Sequence, residues 1–341
     1  MTVDIAALRR KKELNSKMID EIDAKILKDL LRDGRKKITD IAYEAQISKD
    51  VIYQHYTRMK KEGIIVGSTI MIEYKALGYN VNLSLSLSIP IQNQQLMMEQ
   101  LKELPGLYDV YQWGTKSELW AVLHLNDSKQ IEEVKLLVRK LPCLMADFDI
   151  WTSTKFMLTN LSIFSGENLS IDNKEKMIEA KKINSDPIKL DELDRKIIEE
   201  LVYDCRKPFA EIAKKTGTSP STIMRRYQRL THNNIIRSTI QIDPSKIGYP
   251  ANAIFRIKAN AQVDLDEVSK SIFEIPDIYL VFKTLGKFDY LIFSCVKTLE
   301  HLLHIEEKIS HISDVQQIEK ATVLSLKLGC LPFPAIPIST F

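Results

Sequence analysis

Ser219-Pro220-Ser221-Thr222-Ile223-Met224-Arg225-Arg226-Tyr227-Gln228-Arg229-Leu230-Thr231 reads as one helix with no acidic residue along it. Ser219 has the side chain of an N-cap, and Pro220 stands at the first helical position, where its missing N–H costs nothing. Upstream, Gly217 marks a turn after a short helical stretch at Phe209 to Lys215. Before that, Leu190, Leu193, Ile197, Ile198 and Leu201 recur with a 3.6-residue period, and acidic residues crowd the first turn, where the helix dipole favours them. Downstream, Asn234 tolerates the left-handed conformation that ends a helix, and Ile235 to Ile242 is an apolar extended stretch. Helix, turn, N-capped helix and extended segment make the plan of a winged helix-turn-helix. A helix about 10 to 12 Å across fits the major groove of DNA. Ser219, Ser221, Thr222, Arg225, Arg226, Gln228 and Arg229 are the residues expected to face phosphates and base edges. The alternative is a merely solvated face, and internal ion pairing of Arg225, Arg226 and Arg229 would count against the DNA reading.

The same plan stands 171 positions earlier. Between Asp20 and Ile65, 17 of 46 residues match those at that offset, where composition alone gives roughly three; the chain is read as two copies of one unit. Asp20/Asp191, Asp23/Asp194, Arg35/Arg206, Ser48/Ser219, Tyr56/Tyr227, Arg58/Arg229 and Ile65/Ile236 are among the matches. Farther on, Leu104-Pro105-Gly106-Leu107-Tyr108 answers Ile275-Pro276-Asp277-Ile278-Tyr279. The third helix of the first copy offers Ser48, Lys49, Tyr53, Gln54 and Arg58 for DNA contact, but His55 replaces Arg226 and Asp50 adds a negative charge. This head is expected to read DNA differently or to support the other.

Beyond each helical head, Val81, Leu83, Leu85, Leu87 and Ile89 alternate with Asn82, Ser84, Ser86 and Ser88, the signature of a half-buried strand. A helical stretch, two strands, a second helix and a last strand follow, and the order β-α-β-β-α-β recurs from Ala251 to Leu328. The predicted fold class is α+β: two tandem units, each a winged helix-turn-helix followed by a ferredoxin-like domain. The boundaries are a basic tail at 1–18, heads at 19–74 and 189–244, ferredoxin-like domains at 75–159 and 245–330, a polar linker at 160–188 and a Pro-rich tail at 331–341. Such a sheet leaves one face free, so pairing between the halves, between chains, or both is expected. The turn Gly286-Lys287-Phe288-Asp289 reads either as an ordinary Asp turn or as the edge of a pocket in which backbone N–H groups and Asp289 hold a small zwitterion. In the first half Gly114 and Ser117 are taken as the equivalents of Gly286 and Asp289.

Composition narrows the remaining classes. The 341 residues are 45% hydrophobic and 27% charged, and 48 Lys plus Arg against 45 Asp plus Glu leave +3, too little for a generic polycation. Cys143, Cys205, Cys295 and Cys330 form no C-x-x-C pair and are read as buried thiols; no metal or cofactor is expected. Gly-rich phosphate loops and a G-x-S-x-G nucleophile are missing, so no enzyme is expected. No stretch approaches a membrane span and no apolar signal core follows Arg9 to Lys12, which gives a cytoplasmic expectation.

These residues together resemble the Lrp/AsnC family, the feast/famine transcription regulators of bacteria and archaea. The second half carries the fuller likeness: Leu190-Asp191-x-x-Asp194-x-x-Ile197-Ile198, Arg206, Glu211-Ile212-Ala213, Ser219-x-Ser221-Thr222-Ile223-x-Arg225-Arg226, Ile247-Gly248-Tyr249 and Gly286-x-x-Asp289. The resemblance implies a regulator of double-stranded DNA whose regulatory domains pair, form oligomers and bind an amino acid or related metabolite. Fusion of two units in one chain departs from the usual single unit and implies a pseudo-dimer. Siroheme decarboxylases are similar to the same fold, so a tetrapyrrole enzyme is one alternative, and an effector-sensing or assembly protein without DNA binding is another.

Overall fold

The computed structural model describes residues 19–112, 117–156 and 190–324. The two tails, the linker, Gly114 and Cys330 lie outside the described residues. The first head comprises α1 (Glu21–Arg32), α2 (Ile38–Ala45), α3 (Lys49–Lys61) and β1 (Ile65–Ile72). Its ferredoxin-like half follows as β2 (Val81–Ser88), α4 (Gln94–Leu101), β3 (Leu107–Gln112), β4 (Glu118–Leu125), α5 (Lys129–Val138) and β5 (Met145–Phe156). The same order returns as α6 (Glu192–Tyr203), α7 (Phe209–Thr216), α8 (Pro220–His232), β6 (Ile236–Ile242), β7 (Ala251–Ala259), α9 (Leu265–Phe273), β8 (Ile278–Leu285), β9 (Tyr290–Val296), α10 (Leu299–Ser310) and β10 (Val315–Leu324).

Local chemistry sets the helix ends. Asp20 and Asp191 each accept the backbone N–H three residues on, while Asp23 and Asp194 return the bond in a reciprocal capping box. Ser48 and Ser219 cap α3 and α8. Gly63 and Asn234 adopt φ of 72° and 55° where those helices stop, as their residue types predict.

The extended segment after α3 or α8 is where the winged plan needs correction. Among the described residues neither forms a wing of its own: β1 and β6 pair with each other, antiparallel, with Thr69 opposite Thr239. The apolar side chains explain why. Ile240 and Ile242 pack into the core of the first head beside Ile26, Leu27 and Leu30, while Ile70 packs into the second head beside Ile197, Ile198 and Leu201. Each strand completes the other head, and the ladder satisfies backbone groups that a lone strand would leave open. Thr69 Oγ1 donates to Val202 O at 2.7 Å and Thr239 Oγ1 to Leu31 O at 3.0 Å, a matched pair of locks.

The ferredoxin-like halves share one eight-stranded sheet of order β10-β7-β9-β8-β5-β2-β4-β3. The join is the β5·β8 pair, with Ile150 opposite Leu285 and Phe156 opposite Leu280. Period-two alternation sends Leu83, Leu85 and Leu87 toward α4 and α5, and Ala253, Phe255 and Ile257 toward α9 and α10. The opposite faces meet across the middle of the chain. There Trp151 stacks on Phe282 at 4.2 Å between ring centroids and Trp120 lies 5.6 Å from Phe293. Arg256 Nη1 donates to Ser86 Oγ at 3.2 Å, a bond between positions 170 residues apart. The free sheet face expected from sequence is covered within the chain itself.

Candidate nucleic-acid interface and ligand-binding turn

On α8, Ser219, Ser221, Arg225 and Gln228 are exposed and Thr222 is half-buried. Ser219 Oγ accepts the Thr222 N–H at 3.1 Å and lies 2.8 Å from Ser221 Oγ, so the helix start is fixed by hydroxyls. The expectation of a uniformly free cationic face is corrected here. Arg226 Nη1 contacts Asp191 Oδ2 at 2.5 Å and Asp194 at 3.3 Å, and Arg229 donates to Asp194. The reason is burial: Asp194 is fully buried, and a buried carboxylate requires a charged partner. The backbone N–H of Asp194, then the Arg226 guanidinium, holds the Asp191 carboxyl below its usual range. Among the described residues Arg225 has no ion-pair partner, while Arg226 and Arg229 keep 24% and 39% of their side chains in solvent.

The first head repeats the arrangement with different side chains. Ser48, Lys49, Tyr53 and Gln54 are exposed on α3, but Arg58 is tied to the buried Asp23 and, at 3.3 Å, to Glu62. Arg58 is therefore corrected in the same way as Arg229. His55 Nδ1 sits 2.9 Å from Asp23 Oδ1, in the role that Arg226 plays opposite Asp194. Burial pushes the Asp23 carboxyl up, but the Asp20 backbone N–H, His55 and Arg58 outweigh it and leave it below the ordinary range.

At the Gly286–Asp289 turn, Asp289 is turned into its own sheet. Its Oδ2 accepts the Ala259 N–H at 2.8 Å and its Oδ1 the Lys258 ammonium at 3.0 Å. Both oxygens are engaged, so Asp289 does not present a carboxylate to an open pocket. Sheet register also corrects its first-half counterpart. Val110 opposes Ala121 and Val281 opposes Ile292, a constant offset of 171, so Glu118 and not Ser117 matches Asp289. Ser117 instead contributes its carbonyl, which accepts the Ile89 N–H at 2.7 Å.

Two family models match the second half, the AsnC-type helix-turn-helix domain at residues 190–231 and the Lrp/AsnC ligand binding domain at residues 252–327. The HTH-type transcriptional regulator FL11 of Pyrococcus horikoshii is 33% identical over 138 residues, which cover 40% of this chain and 91% of that protein. The chain belongs to the Lrp/AsnC family. The regulatory protein AsnC of Haemophilus influenzae is 30% identical over 140 residues, 40% of this Lrp/AsnC chain and 92% of its own length. Among solved structures, the siroheme decarboxylase NirDL covers 89% of this chain and 90% of that one with a TM-score of 0.60 and 16% identity, a likeness of fold.

The pairing of these residues in this Lrp/AsnC chain was not foreseen in the sequence. Asp20, Asp23 and His55 bring ligand atoms within 4.8 Å of one another, a grouping of metal-ligand types, yet Asp23 already receives Arg58 and His55. The pairing had a signal: both copies keep Asp and Arg 35 residues apart, Asp23/Arg58 and Asp194/Arg229. Cys205 and Cys295 are buried as expected, and Cys143 is partly so. Among the described residues no helix is long and apolar enough to cross a membrane.

Proposed function

We propose that this Lrp/AsnC chain is a sequence-specific regulator of transcription that binds double-stranded DNA through α8 and α3, and that its two halves are diverged family units forming a pseudo-dimer. The observation that carries the reading is the exposed, hydroxyl-capped face of α8, with Arg225 and Gln228 projecting and no acidic residue along the helix itself. The interlocked β1·β6 ladder supports it further, because it fixes the two helices relative to each other, as a two-headed reader requires. The first head presents Lys49, Tyr53 and Gln54 where the second presents Pro220, Met224 and Arg225, so the preferred site is asymmetric.

The amino-acid or related small-metabolite effector of the family is assigned to the paired regulatory halves, around Gly286 and the first-half segment that leads into Glu118. Further association of whole chains through regulatory surfaces completes the proposal. The test is titration of the full chain on a DNA fragment selected from a random pool, at fixed salt. Arg225→Ala weakens binding by about 1 to 3 kcal/mol if the guanidinium reads a base, and a steep loss of affinity with salt accompanies binding. Unchanged affinity for Arg225→Ala removes α8 from the interface.

The fold shared with NirDL keeps a tetrapyrrole enzyme as the second reading. His124, the first histidine after Tyr108, is buried, stacked 4.0 Å from Tyr74 and 2.6 Å from Asn82 Oδ1, which places it in packing rather than toward a ligand. A visible absorbance spectrum of the purified chain separates the two readings.

A further inference from the structure

The β5·β8 join brings the last strand of the first half against the Gly286 turn of the second. Because Ile150 lies opposite Leu285, Asp149 falls beside Gly286. A Cβ added at Gly286 would stand 2.2 Å from Asp149 Oδ1 and 2.8 Å from Phe148 O, so the space a side chain would take is filled by this carboxylate. Asp149 is 4% exposed, while Gly286 and Lys287 above it face solvent.

The surroundings have the chemistry of a carboxylate receptor. The Arg256 charge and the backbone N–H groups of Phe288 and Lys287 all favour the ionised form of Asp149, against its burial and the nearby Asp147. Arg256 is itself held across the sheet by Ser86 and by Glu319 at 2.5 Å, and its guanidinium lies 4.8 Å from the Phe288 ring centroid. Lys287 Nζ adds a cation 4.0 Å from Asp147. An arginine charge beside a tight turn favours an anion there. The fit is incomplete: Asp149 Oδ1 is buried without a hydrogen-bond partner, and burial pushes the Asp149 carboxyl above the usual carboxylate range. A strand position needing only to fill space would be served at less cost by a neutral side chain.

We propose that Asp149 is a built-in ligand of the Gly286–Asp289 turn, its carboxylate occupying the place that the carboxylate of a small free acid must take to bind there. The proposal rests on the effector reading of this turn and deepens it: the ligand class is a small carboxylate, and binding requires displacement of an internal competitor. The incompletely satisfied Oδ1 makes that displacement feasible.

The experiment is chemical rescue of the full-length Asp149→Ala chain with acetate or formate at about 50 mM, against chloride at the same ionic strength. Acetate raises the thermal midpoint of Asp149→Ala by roughly 2 to 4 °C, saturably, and leaves the wild type unmoved. Asp149→Asn, which still fills the turn, gains no response. An Asp149→Ala chain that responds to acetate no more than the wild type overturns the proposal. Should that variant fail to fold, Asp149→Ser decides by the same titration, and a response to acetate no greater than that of the wild type overturns it. Acetate rescue does not depend on which effector acts, so it is separable from the effector reading, which fails if amino acids leave operator affinity of the wild type unchanged.

Discussion

Arg35 and Arg206 stand 171 positions apart and reach across the two halves of the chain in opposite directions. Arg35 donates to the carbonyls of Cys205 and, at 3.0 Å, Lys207, and its guanidinium lies 4.0 Å from the Phe209 ring centroid. Arg206 returns one bond, to Lys36 O at 2.6 Å, and lies 5.7 Å from Tyr56. Charge-assisted bonds to buried carbonyls contribute about 1.5 to 3 kcal/mol each. Arg35→Ala therefore lowers stability by roughly 3 kcal/mol and Arg206→Ala by roughly 1 to 2 kcal/mol. Urea denaturation of the full chain measures both, and equal effects contradict the asymmetry of the two grips.

Arg225 and Arg226 are neighbours with different work. Arg225→Ala lowers DNA affinity and leaves stability within about 0.5 kcal/mol, as for an exposed side chain without special contacts. Arg226→Ala also loses part of the charge that holds Asp191 and Asp194, so its thermal midpoint falls as well. Paired DNA titrations and thermal melts distinguish the two variants; a thermal loss confined to Arg225→Ala contradicts the assignment.

Asp194 anchors both α6 and α8. Asp194→Ala removes a capping-box partner and leaves two guanidinium groups facing a void, a loss of about 3 kcal/mol or more. Asp194→Asn retains an acceptor for the Asp191 N–H and costs less. Denaturant midpoints rank the two variants, and hydrogen exchange along α8 reports whether that helix loosens first.

Gly106 and Asp277 occupy equivalent turns with φ of 65° and 70°. A Cβ on Gly106 would meet His124 O at 2.1 Å, so Gly106→Ala destabilises by roughly 3 kcal/mol. Asp277 carries a side chain in the left-handed conformation because Tyr249 OH donates to it at 2.9 Å and His301 Nε2 lies 3.0 Å away. Asp277→Gly relieves the backbone while losing those contacts, and a thermal melt shows a smaller change than for Gly106→Ala.

His124 makes stability depend on pH. Burial pushes its imidazole pKa down to about 3, whereas the unfolded side chain takes a proton near 6.5. The folded chain thus binds fewer protons than the unfolded one between those values. This group imposes no penalty above about pH 6.5, and stability falls by up to roughly 1.4 kcal/mol per unit as pH drops below it. Urea midpoints of the wild type and His124→Gln between pH 7 and 4.5 test this: the variant loses that part of the slope.

Whatever repeats locally was readable in the chain itself. The capping pair Asp191/Asp194, the Ser219-Pro220 helix start and the strict alternation from Val81 to Ile89 each depend on neighbours within a few residues, so residue order determined the helices, strands and their twofold recurrence. The tertiary structure decided what those elements do to one another. Ile70 and Ile240 exchange heads because each apolar strand face finds its cover on the opposite unit. Arg226, Arg229 and Arg58 are drawn to acids 32 or 35 residues away because fully buried carboxylates demand charge. Asp149 meets Gly286 only through the register of β5 on β8, a pairing between distant segments that no local pattern encodes.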